Sequence, residues 1–91
     1  MSEPVVVIIE HKACDSVRVD AKGIHVMFHN KLSGNFWQKT YQAADLSVDQ
    51  ILKWKNGEAI QRAMPGLDSN DREHFLTGYT QKEINEIFGE G

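Results

Sequence analysis

A chain of 91 residues holds one domain, and at this size folding hides only roughly 60–65% of the chain's surface from water, so the core must be small. With 41% apolar and 25% charged residues the composition excludes disorder along the body of the chain, and the single cysteine, Cys14, excludes an intrachain disulfide. The net charge of −3 lacks the basic surplus with which nucleic-acid binders neutralise phosphates.

The charge is uneven. Residues 1–45 carry five Lys/Arg and five Asp/Glu, whereas residues 46–91 carry five and eight, a balance that slightly favours a basic partner over an acidic one but is better explained as a surface charged for solubility. The longest apolar run, Val5–Ile9, is too short to span a bilayer and lacks the charged start and cleavage pattern of a signal peptide. Together with the cysteine count, this predicts a soluble, cytoplasmic protein without membrane association.

In chain order, PVVVIIE (4–10) is β-branched and uninterrupted, which predicts a strand covered on both faces or lying in the middle of a sheet. Should Val5–Ile9 lie at a sheet edge instead, it could pair with a second copy and form a homodimer. HKACDS (11–16) reads as a turn. VRVDAKGIHVMFHN (17–30) reads as a hairpin about Lys22–Gly23. That register opposes Ala21 to Ile24, Val19 to Val26 and Val17 to Phe28 on one face. LSGN (32–35) is a further turn. FWQKTYQ (36–42) is a further strand that alternates Trp37, Lys39 and Tyr41 with Phe36, Gln38 and Thr40.

After Ala44–Asp45 the period changes. Ser47 and Gln50 have the spacing of a capping box, flanked by Leu46 and Ile51 as a hydrophobic staple, and Asn56–Gly57 is a stop. EAIQRAM (58–64) adds one or two turns before Pro65–Gly66. Asp68 or Ser69 caps the next helix, which Gly78 ends. Thr80 and Glu83, flanked by Tyr79 and Ile84, repeat the box and staple, and Ile84, Ile87 and Phe88 form one apolar stripe before Gly89. Short helices gain little alone, so Leu52, Trp54, Ile60, Met64, Leu67, Phe75, Leu76, Ile87 and Phe88 are expected to pack on each other and on the sheet. The expected fold is α+β: a small antiparallel sheet of three or four strands, then three or four short helices on one face. It forms a single domain over 1–91, with a β-rich half at 1–43 and a helical half at 46–89.

The set Trp54, Gly57, Ile60, Gln61, Pro65, Leu67, Arg72, Glu73 and Gly78, closed by Phe88–Gly89, resembles the C-terminal part of small, uncharacterised proteins encoded by bacteriophages and bacterial mobile elements. The likeness covers about 35 of the 91 residues. It implies a phage or mobile-element origin, and with it a host-cell cytoplasm as location. It supplies no catalytic residue. Paired cysteines near the end of some relatives suit zinc, but this chain has Tyr79 and Asn85 in that region.

Four constellations invite chemistry. His25 and His29 on one strand lie about 13 Å apart, too far to share a zinc ion whose ligands sit about 2 Å from it. Cys14 with His11 has the types of a thiol nucleophile and base, but catalysis needs the pair hydrogen-bonded in a pocket with a third group orienting the histidine, which neighbouring loop residues seldom achieve by local geometry alone. Asp68, Asp71 and Glu73 lack the full calcium-loop pattern and are explained by the positive end of a helix. Trp37, Lys39 and Tyr41, set beside Arg18, His25 and His29 on neighbouring strands, form the candidate partner-binding face, provided the helices leave it open. The expected function is a non-enzymatic binding protein without cofactor or metal, acting on a host protein. Single-stranded nucleic-acid binding through Arg18, His25, Trp37 and Lys39 is the alternative.

Overall fold

Four strands are joined by tight turns because each break in the β-branched pattern carries residues that reverse the chain locally. A computed structural model describes residues 5–88, the side chain of Phe88 excepted. Strands β1 (Val5–His11), β2 (Cys14–Asp20), β3 (Gly23–Asn30) and β4 (Asn35–Tyr41) form an antiparallel meander in the order β1-β2-β3-β4. Helices α1 (Val48–Lys55), α2 (Ile60–Ala63), α3 (Ser69–Thr77) and α4 (Gln81–Phe88) follow. The expected α+β fold is thus observed. Pro4, Gly89 and the Phe88 side chain, to which the expected first strand, final stop and apolar stripe extended, lie outside the described residues.

The first reversal is tighter than expected. Lys12 and Ala13 alone make the turn, and β2 begins at Cys14 instead of after Ser16. Lys12 takes the left-handed conformation at φ 52° that such a turn needs. Ala13 is tied on both sides, donating its N–H to Phe75 O and accepting from His29 N. Tertiary contacts therefore fix a turn that the polar letters blurred.

The second hairpin is displaced by two residues in register. Its turn is Ala21–Lys22, with Val19 opposite Ile24 and Val17 opposite Val26. Asp20 Oδ1 accepts from Lys22 N at 2.9 Å and holds the reversal one residue earlier than expected. Gly23 stands in β3 at φ 140°, and a Cβ there would meet Tyr41 O at 2.6 Å. A two-residue slip keeps the parity of side chains, so the apolar face survives the wrong register. An irregularity between Cys14 and Ser16 brings Cys14, not Val17, opposite Phe28.

β1 lies at the edge, not in the middle. Its inward side chain Ile9 is fully buried, but Val5, Val6 and Ile8 are 58, 59 and 57% exposed. Alternation opposite β2 places Val6 and Ile8 on the face that bears Arg18 and Ser16, away from the helices.

The helices cover the other face. Ile9, Val17, Val26 and Phe28 from the sheet meet Leu46, Ile51, Trp54, Met64, Leu67 and Phe75. The Phe28 and Phe75 rings are edge-on at 4.9 Å, and full burial of such a ring contributes about 1.5–3 kcal/mol. The capping box of Ser47 and Gln50, the Asp68 cap and the box of Thr80 and Glu83 all form. α2 is a single turn, shorter than 58–64. Two expected core residues stay outside: Leu76 in the last turn of α3 and Ile87 in α4 are exposed, whereas Ile84 of α4 is buried.

Candidate functional site

The six residues expected to form one binding face divide between the two faces of the sheet. Trp37, Lys39 and Tyr41 oppose Phe28, Val26 and Ile24, so they point under the helices. Arg18, His25 and His29 point to the bare face, together with Phe36, Gln38 and Thr40. No single surface carries all six.

On the bare face the polar groups satisfy one another. Arg18 donates to Asp20 Oδ2 at 2.9 Å, and His25 Nε2 lies 2.8 Å from Asp20 Oδ1. His25 Nδ1 lies 2.7 Å from Thr40 Oγ1, so a ring that donates to the carboxylate accepts from the hydroxyl. His25 is only 7% exposed. Its hydrogen bond holds Asp20 below the usual carboxylate range, with the Lys22 amide adding to the effect. The chain from Arg18 to Thr40 links β2, β3 and β4. His29 stands apart from it, stacked on Phe36 at 4.1 Å with the rings 4° from parallel.

Beneath the helices a second network joins β4 to α3. Asp71 Oδ1 accepts from Lys39 Nζ at 2.6 Å and from the Tyr41 hydroxyl at 3.0 Å. The Asp71 amide in turn caps against Asp68 and holds that carboxyl low. His74 is buried beside them, and burial lowers its pKa. Its Nδ1–H donates to Tyr79 O at 2.6 Å, while Nε2 stays 4.0 Å from Asp71, beyond a hydrogen bond. Trp37 Nε1 donates to Gly78 O at 2.7 Å. Burial and the Asp71 charge push the Tyr41 phenol well above its ordinary range, so it stays protonated. This arrangement anchors a helix to a strand. Asp71 was expected only to offset a helix end; its tie to Lys39 and Tyr41 joins distant parts of the chain and has no local signature.

The thiol gains no activation. Cys14 is buried, and desolvation pushes its pKa up to about 12, with Asp15 adding to the rise. His11 is paired opposite Cys14 in the backbone ladder, but its ring packs edge-on to Trp54 at 4.5 Å. Among the described residues no group of three or more His, Cys, Asp or Glu could hold a metal ion, and no helix is long and apolar enough to cross a membrane.

Two surface regions stand out among the described residues. One is the free edge of β1. The other is the end of the sheet where the β1–β2 turn meets the β3–β4 turn and the end of α3. A cavity of about 310 Å³ opens there between Lys12, Lys31, Leu32 and Leu76. No protein-family model matches the chain, and comparison with curated proteins and with solved structures gives no match.

Proposed function

We propose that the chain is a small non-enzymatic binding protein, encoded by a phage or mobile element, which acts by docking a host protein on the free edge of β1. The observation that supports docking on this edge is the exposure of Val5, Val6 and Ile8 along an edge strand. An edge presents unpaired N–H and C=O groups to any strand that can approach. Edges are commonly blunted by Lys, Pro or inward charges, and residues 5–9 contain none of these. The opposite edge, β4, carries Gln38 and Lys39 at its centre. A partner strand laid along β1 would gain main-chain hydrogen bonds, with Val6 and Ile8 giving side-chain contacts on the bare face.

The same edge suits a second copy of the chain. An antiparallel pairing with its two-fold axis at Val7 sets Val5 against Ile9 and Val6 against Ile8, so no like charges meet across 5–9. The nucleic-acid alternative has less support. Arg18 and Lys39 are each engaged by a carboxylate, and they lie on opposite faces from one another.

The test is affinity capture from a bacterial lysate with the wild type and with a Val6→Lys/Ile8→Lys variant, whose new charges fall on exposed positions. The reading expects a protein captured by the wild type to fall about tenfold or more with the variant, since a charge at a buried contact costs at least one decade in affinity. Equal capture by both would refute it. Light scattering at high concentration separates the second reading: a monomer mass removes the homodimer.

A further inference from the structure

The cavity at the end of the sheet combines an apolar wall with two lysines that have no ion-pair partner among the described residues. Leu32 is 86% exposed in the β3–β4 turn, and Leu76 faces out from the last turn of α3. With Ala13 and Tyr79 they line the cavity of about 310 Å³, and Lys12 and Lys31 stand at its rim. A volume near the low end of the roughly 300–1,000 Å³ of ligand sites suits one anchored side chain rather than a large ligand. An adjoining hollow of about 180 Å³ shares Lys12, Lys31 and His29 and is bounded on its other side by Glu10 and Asp15.

Lysines near a helix C-terminus can simply offset its dipole. Here two of the last four carbonyls of α3 already have backbone donors: Phe75 O accepts from Ala13 N, and His74 O from Gly78 N. Among the described residues neither Lys12 nor Lys31 has a carboxylate within ion-pair distance, unlike Arg18 and Lys39. The positive field reaches inward as well, where Lys12, Lys55 and Lys31 add to burial in lowering the pKa of His11. Among the described residues, two cations without an ion pair thus stand beside an apolar hollow of a chain whose net charge is −3.

We propose that this cavity binds an acidic peptide segment, seating one large apolar side chain between Leu32, Leu76 and Tyr79 while Lys12 and Lys31 hold an adjacent carboxylate. Peptide is favoured over nucleic acid by the same geometry. The cations cluster at one end of the sheet instead of tracking a backbone, and Glu10 and Asp15 beside them would repel a succession of phosphates. The site is separate from the β1 edge, so the two readings can fail independently.

The experiment is a nuclear magnetic resonance titration of the ¹⁵N-labelled chain. The probe is a blocked hexapeptide alternating glutamate with leucine. Controls replace glutamate by glutamine, or leucine by alanine, and a thymidine oligonucleotide forms a separate arm. The proposal expects saturable shifts at the amides of Lys12, His29, Lys31, Leu32 and Leu76. Binding should weaken at least about fivefold for each control peptide and for the Lys12→Gln/Lys31→Gln variant, in line with the loss of a charge-assisted contact. It should be unchanged in Val6→Lys/Ile8→Lys. The proposal is overturned by absence of saturable shifts at millimolar peptide, by equal binding of the glutamine peptide or of the lysine variant, or by tighter binding of the oligonucleotide at these same amides.

Discussion

Lys39 and Asp71 stand 32 residues apart in the chain, yet the ammonium lies 2.6 Å from Asp71 Oδ1 and thereby pins α3 to the last strand. Tyr41 shares that oxygen from the same strand. The Lys39 side chain is 41% exposed, so the ion pair itself contributes little, on the order of 0–1 kcal/mol. The buried Tyr41 hydroxyl depends on the carboxylate more strongly. Asp71→Asn is expected to destabilise the protein by about 1–3 kcal/mol and Tyr41→Phe by about 1 kcal/mol in urea unfolding. The double variant should lose less than the sum of the two, because both remove one hydrogen bond. Additive losses would show that the two groups act independently.

Two histidines, the buried His74 and the partly buried His11, shape the response to acid. Burial lowers the folded pKa of both His74 and His11 from 6.5. Below 6.5 the unfolded chain takes up protons that the folded chain refuses, so stability falls as pH drops through that value toward the folded ones. The slope is at most about 1.4 kcal/mol per pH unit for each group. Asp20 and Asp68, whose folded pKa values lie below 3.8, act in a lower window: the stability they add is present above 3.8 and is lost as pH falls through their folded values. Replacing His74 by Asn keeps a donor for Tyr79 O and removes one titration. Unfolding measured between pH 7.5 and about 5 should give a shallower slope for His74→Asn than for the wild type. Identical slopes would contradict the assignment.

Glycine positions separate backbone strain from crowding. Gly34 and Gly78 have nearly the same φ, 80° and 79°, but a Cβ at Gly34 meets nothing within 4 Å, whereas at Gly78 it would lie 2.7 Å from His29 O. Gly34→Ala should cost about 1 kcal/mol, the strain alone. Gly78→Ala should cost clearly more, roughly 2–4 kcal/mol, since β3 backbone cannot move without disturbing the sheet. Thermal unfolding of the two variants checks the difference; equal losses would show that the close approach is relieved cheaply.

Signals that act within a few residues were legible from the letters alone. Ser47 with Gln50 and Thr80 with Glu83 form reciprocal caps, because a side chain needs only its own helix to reach those amides. Ser47→Ala is expected to cost about 1 kcal/mol in urea unfolding, and no loss would mean that the box is redundant with packing of the Leu46 end. What the letters hid is decided at a distance. Val5–Ile9 is equally apolar in a central and an edge strand, and only the strand order distinguishes them. Arg18, His25 and His29 were assigned beside Trp37, Lys39 and Tyr41, but which face each strand turns to the helices follows from cross-strand parity, which sequence spacing within one strand does not fix. The cavity near Lys12 and Lys31 is assembled from two turns and a helix end, so no contiguous motif announces it.

Hydrogen exchange along β1, followed with and without the captured host protein, tests the central claim most directly. An added strand should slow exchange at the alternate amides of residues 5–9 that point away from β2, and the Val6→Lys/Ile8→Lys variant should not show that protection. Unchanged exchange along β1 in a stable complex, with protection appearing elsewhere on the molecule, would contradict it.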